Sequence, residues 1–138
     1  MDQSPEVKDL ANALCTFQSK MQTVAKDAKN PFFKSKYATL ESIWEAARPF
    51  LTECGLAVVQ GGTAIFPTAG QAQPYLTTTI LHSPSGQWIR GDFILSPAKL
   101  DAQGFGSAIT YMRRYSFCSM LGIQTGEDDD GNAASTKA

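Results

Sequence analysis

Residues 75–95, "YLTTTILHSPSGQWIRGDFIL", decide the fold class of this chain. The runs Tyr75–His82 and Trp88–Leu95 are rich in β-branched and aromatic side chains, and "SPSG" between them has the composition of a turn. In the second run, alternation puts Ile89, Phe93 and Leu95 on one side of a strand and Trp88, Arg90 and Asp92 on the other, the pattern of a sheet with one buried face. Upstream, "LAVVQ" at 56–60 is a run of the same kind, separated from the hairpin by the loop-like "FPTAGQAQP" at 66–74. The expectation is a three-stranded antiparallel meander.

Outside this region the apolar period becomes helical. Val7, Leu10, Leu14, Phe17, Met21 and Val24 recur at spacings of 3, 4, 3, 4 and 3 and predict a first helix from near Ser4–Pro5 to about Asp27. Its stripe packs on the rest of the domain, with a heptad seam to another subunit as the alternative. Pro31 makes "KNPFFKSKY" a loop. A second helix starts at Thr39, a capping residue, presents Leu40, Ile43, Trp44, Ala47, Phe50 and Leu51, and closes at Gly55. Pro49 predicts a kink or a short separate helical piece within it. After the strands, "SPAKLDAQG" leads into a last helix from Ala102 to Leu121 with Gly122 as its stop. The fold class is therefore α+β: a three-stranded antiparallel sheet packed by a long C-terminal helix, with two helices N-terminal to the sheet.

A chain of 138 residues with 43% apolar and 18% charged residues is one soluble globular domain. It is read as residues 1–126, followed by an acidic, flexible tail over 127–138. No run approaches the ~20 apolar residues of a membrane span, and "MDQSPEVKD" lacks the basic-then-apolar order of a secretory signal, so a cytoplasmic location is expected. Cys15, Cys54 and Cys118 are odd in number and lack a Cys-x-x-Cys pair, so they are expected as buried thiols rather than a disulfide framework or zinc site. His82 is the only histidine, which removes the partners a histidine metal site or a His-activated nucleophile needs.

The net charge of −1 conceals an asymmetry. Residues 127–138 hold four acids and one lysine; of the 12 basic and 13 acidic groups, 11 and 9 remain in residues 1–126, a net of +2. Lys20, Lys26, Lys29, Lys34 and Lys36 face only Asp27 over 17 residues, which is either a solvated face or the start of a polyanion site.

The last helix carries the adjacent Arg113 and Arg114. At 100° per residue, Phe105, Ala108, Ile109, Met112, Ser116 and Ser119 form a face for the sheet, and Ser107, Thr110 and Arg114 form the opposite one. Phe117, Cys118 and Leu121 join that opposite side near the end, which predicts cover by a second copy of the chain. Hydroxyls and a guanidinium on one stripe, beside the small Gly106, suit phosphate oxygens; ordinary surface arginines are the plainer reading.

Three motifs in order, "NPFFKSKYATL", "DAQGFGSAITYMRRYSF" and "LGIQTGEDDDGN", resemble the ERF (essential recombination function) family of bacteriophage single-strand annealing proteins over about residues 27–132. The resemblance implies a ring-forming annealing superfamily with a β-β-β-α core. It implies pairing of complementary single strands in the cytoplasm of a bacterial host, without ATP or any cofactor, by a homo-oligomer in ring or filament form. The implied partners are single-stranded DNA and further copies of the chain, with a phage exonuclease or a single-strand-binding protein as additional candidates, and no membrane. Carried onto this sequence, the groove residues are Lys34, Lys36 and Tyr37 of the basic loop and Thr110, Arg113 and Arg114 of the last helix, with Lys29, Asn30 and Arg90 as secondary candidates. Phe32 and Phe33 could stack on bases or pack in the core.

Two other classes compete with a non-enzymatic annealing protein. A metal-dependent nuclease would use the Glu127–Asp130 acids, which otherwise read as a solvated tail or a contact to basic residues of a neighbour. A nucleotide site at Gly104–Gly106 lacks the third glycine and a directly preceding strand. A protein-interaction module is the third class.

Overall fold

The computed structural model describes residues 1–24, 38–68 and 70–126. The elements run β1 (Asp2–Gln3), α1 (Lys8–Lys20), α2 (Leu40–Glu53), β2 (Leu56–Thr68), β3 (Gln71–His82), β4 (Trp88–Ile94) and α3 (Ala102–Leu121). All pairings are antiparallel, in the strand order β1-β4-β3-β2. The fold is α+β, with α3 packed on the sheet and two helices ahead of the meander.

The sheet has four strands, not three. The extra strand pairs Asp2 with Arg90 and Gln3 with Ile89, where the helical stripe was expected to be about to begin. Ser4 completes this edge: its amide donates to the Trp88 carbonyl at 2.9 Å, and its hydroxyl accepts from the Trp88 amide at 3.0 Å. Helix α1 consequently starts at Lys8 rather than Ser4–Pro5. Its N-cap, Val7, makes no side-chain cap. Instead the Gln87 side-chain carbonyl accepts from the buried Leu10 amide at 2.9 Å, so a residue from the β3–β4 turn satisfies an orphan donor of the first helical turn. The helix stops at Lys20, short of Asp27, and the Val24 amide donates to the Gln124 carbonyl at 2.9 Å. Leu10 and Phe17 are buried in the chain's own core, which answers the seam alternative.

Thr39 caps α2 as expected, its hydroxyl accepting from the Ser42 amide at 3.1 Å. The helix runs unbroken through Pro49, so the separate piece is absent. Pro49 and Glu45, four residues back, are both exposed, so the carbonyl that proline cannot serve lies within reach of solvent. Strands β2 and β3 extend through most of the segment expected as a loop, pairing from Leu56↔His82 to Ile65↔Gln73 and again at Thr68↔Gln71 beyond a register shift. Ladder bonds come from the backbone, so glycines and glutamines continue them without apolar side chains.

Leu76, Thr78 and Ile80 of β3 face the helices, and alternation along β4 follows the expectation: Gly91 and Leu95 are buried while Arg90, Asp92 and Ile94 are exposed. Helix α3 has its expected bounds. The Asp101 side chain accepts from the Gly104 amide at 2.7 Å, and Gly122, at φ 73°, ends the helix in the left-handed region. Its two-sided second half is covered from within the chain, not by another copy. Ser116 meets the sheet, while Phe117 and Leu121 enter the core with α1 and α2, and the Trp44 and Phe117 ring centroids are 4.5 Å apart. Ser119, expected against the sheet, is exposed. The cysteines also differ from expectation: Cys15 is exposed, and Cys54 and Cys118 are half-buried.

Candidate nucleic-acid interface

A directional hydroxyl relay seats α3 on the sheet. The Ser116 hydroxyl donates to the Met112 carbonyl at 2.7 Å, which leaves its oxygen to accept from Thr78 at 2.8 Å. The Thr78 oxygen in turn accepts from the Gln60 side-chain amide at 3.1 Å, and the same amide donates to the Arg113 carbonyl at 3.0 Å. Thr78 and Ser116 are fully buried, so each needs these partners. The relay fixes which residues of α3 face outward.

The two arginines diverge from this anchor, as the 100° step of a helix requires. Arg113 lines a cleft between α2 and α3 with Leu40, Glu41, Trp44, Glu45 and Arg48. Two arginines and two glutamates leave this cleft close to neutral. Arg114 points the other way, its guanidinium carbon 5.3 Å from the centroid of the Tyr111 ring. Thr110 is exposed on the same outer side, its hydroxyl donating to the Gly106 carbonyl at 3.0 Å. The helix "AQGFGSAITYMRRYSFCSML" contains no acid, and its outer side is a strip that carries Arg114.

Tyr111 and Tyr115, which sequence reasoning did not single out, lie on this strip. They are 55% and 52% exposed, and their rings are near-parallel, with centroids 6.3 Å apart and an interplanar angle of 14°. The i, i+4 spacing of two aromatics was a signal for them, but periodicity alone assigned no side to either ring.

Arg90 is on the opposite face of the sheet. It pairs with Asp2 at 2.8 Å and lies 5.0 Å from the Trp88 ring centroid, so it does not join the α3 strip. Asp92 is also on that far face and accepts from Thr77 at 2.7 Å. Lys29, Asn30, Lys34, Lys36 and Tyr37, with Phe32, Phe33 and the Glu127–Asp130 run, fall outside the described residues. Among the described residues no group of three or more His, Cys, Asp or Glu could hold a metal ion. His82 bonds Ser85 at 2.7 Å through Nδ1. In the Gly-x-Gly segment, a Cβ on Gly104 would sit 2.0 Å from the Lys99 carbonyl oxygen, so close helix packing accounts for that glycine; nothing lies within 4 Å of a Cβ on Gly106. Burial pushes the Cys118 thiol up to about 11, with nearby Arg114 acting weakly in the other direction. No described helix is long and apolar enough to cross a membrane.

A family model described as the ERF superfamily matches residues 10–138. No curated protein and no solved structure matches the chain.

Proposed function

Because the chain belongs to the ERF superfamily, a family of phage-type single-strand annealing recombination proteins, we propose that it binds single-stranded DNA and anneals complementary strands as a homo-oligomer, without ATP or a metal. The observation that carries this reading is α3, a 20-residue helix with two arginines and no acid, whose outer side bears Thr110, Arg114 and two exposed tyrosines. Guanidinium and hydroxyl donors suit phosphate oxygens, and aromatic rings suit bases of any sequence. Arg114 and Thr110 are the first phosphate contacts. Arg113, in a cleft that also holds Glu41 and Glu45, contributes less. Lys29, Asn30, Lys34, Lys36 and Tyr37 are proposed as further contacts to the strand. Arg90, paired with Asp2, lies on the far face of the sheet from the α3 strip.

The support for an oligomer lies in the sheet rather than in the end of α3. Val59 and Ile94 are 55% and 61% exposed on the face away from the helices, two separate apolar positions that a second copy would remove from water.

The test is fluorescence annealing of two complementary oligonucleotides in EDTA without nucleotide. Accelerated annealing by a species larger than the 14.9 kDa chain is the expected result. Strand cleavage on adding Mg²⁺ would favour the nuclease, and retention of no oligonucleotide at low salt would favour a protein-interaction module.

A further inference from the structure

We propose that Tyr111 and Tyr115 form a stacking platform for the nucleobases of a single strand, with Arg114 set beside it for the backbone. This rests on the single-strand reading above and adds to it where the bases go.

The first ground is geometry. One exposed aromatic needs no explanation, but two adjacent near-parallel rings on one exposed strip set two π-faces in the same orientation. The second is preorganisation. The Phe93 ring meets Tyr115 edge-on, with centroids 6.5 Å apart at 75°, and Arg114 lies over Tyr111. Each contact limits ring freedom before any ligand arrives, which lowers the entropy lost on binding. Phe93 in turn depends on a glycine: a Cβ on Gly91 would lie 2.9 Å from Phe93 Cε2 and 3.4 Å from Met120 Sδ. The bare backbone of β4 thus leaves the room in which the supporting ring lies.

The third ground is charge. Helix α3 carries two arginines and no acid, which argues for a nucleic acid as occupant rather than a second copy of a chain whose residues 1–126 are net positive. The fourth is the chemistry of annealing. Stacking engages the face of a base and leaves its hydrogen-bonding edge free for the complementary strand, whereas contacts to that edge would compete with pairing.

The test compares affinity for an oligothymidylate with that for an abasic strand of the same length and charge. The proteins are the wild type, Tyr111→Ala/Tyr115→Ala and Tyr111→Phe/Tyr115→Phe, with oligomer mass measured on each. The wild type should prefer the oligothymidylate by on the order of 10- to 100-fold. The alanine variant should bind both strands at the abasic level, and the phenylalanine variant should keep the preference. Equal wild-type affinity for the two strands, or a preference that survives in the alanine variant, overturns the platform while leaving single-strand binding in place. A smaller oligomer with the preference intact overturns it too, and makes the tyrosines a contact between copies. A wild type that retains neither strand overturns the single-strand reading itself.

Discussion

The side-chain amide of Gln60 donates to the main-chain carbonyl of Arg113 across 3.0 Å, so strand β2 holds the arginine-bearing turn of α3 in register with the sheet. Replacing Gln60 with Leu removes donors but leaves Thr78 bonded to Ser116, and should cost about 1 kcal/mol. Thr78→Val cuts the relay in the middle, at a fully buried position, and should cost about 1–3 kcal/mol. In urea unfolding, the double variant should lose less than the sum of the two singles, because they share one bond. Strict additivity would show that the relay does not act as a unit.

The two glycines of the Gly-x-Gly segment should respond in opposite directions. Gly104→Ala drives a Cβ onto the Lys99 carbonyl oxygen and disturbs the Asp101 cap, for a loss above about 2 kcal/mol. Gly106→Ala adds a methyl in open space on a helix and should stabilise by roughly 0.5–1 kcal/mol. Thermal melts of the two variants decide this, and equal destabilisation would contradict the packing described.

Arg114→Ala should weaken single-strand binding to every sequence about equally, since phosphate contacts carry no base information. Each lost contact should flatten the slope of log affinity against log salt by roughly 0.7. Arg113→Ala should change both quantities less, because Glu41 and Glu45 share its cleft. A salt series on both variants, with light scattering to show an unchanged oligomer, separates binding from assembly. A larger effect at Arg113 would move the DNA path to the α2–α3 cleft.

Thiol chemistry should split by burial. At pH 8 the exposed Cys15 should react with iodoacetamide, whereas Cys118, pushed up to about 11, should stay protonated and slow to react until the chain unfolds. The folded chain then binds the Cys118 proton more tightly than the unfolded chain does. Its contribution to stability is present below the ordinary thiol value of 9.0 and is lost as pH rises toward 11. Mass mapping of alkylated peptides across this range checks both statements, and early labelling of Cys118 in the folded protein would refute them.

Much of the architecture was legible in residue order because it depends on local rules. Gly122, the expected stop, ends α3 in the left-handed region by a rule that acts within one turn. The facing of Ile89, Phe93 and Leu95 follows from the two-residue repeat of a strand. Thr39 likewise announced α2. Where expectation failed, the deciding partner was distant: α1 begins at Lys8 because Gln87, 77 positions beyond Leu10, supplies the acceptor. Strand β1 exists because Arg90 and Ile89 offer an edge to Asp2 and Gln3.

For the candidate interface the division is the same. Residue order alone gives α3 two arginines, a threonine and two tyrosines and no acid, and its motifs pointed to the ERF family that the chain belongs to. Packing shares those groups out: Phe117 and Leu121 inward against α1 and α2, Arg113 into the cleft beside Glu41 and Glu45, and Tyr111, Arg114 and Tyr115 onto the outer strip. The physical reason is that helical periodicity sets angles between side chains but leaves the rotation of the helix about its axis undetermined. That rotation is set by what packs against it, here the hydroxyl relay through Gln60, Thr78 and Ser116 and the ring of Trp44 on Phe117.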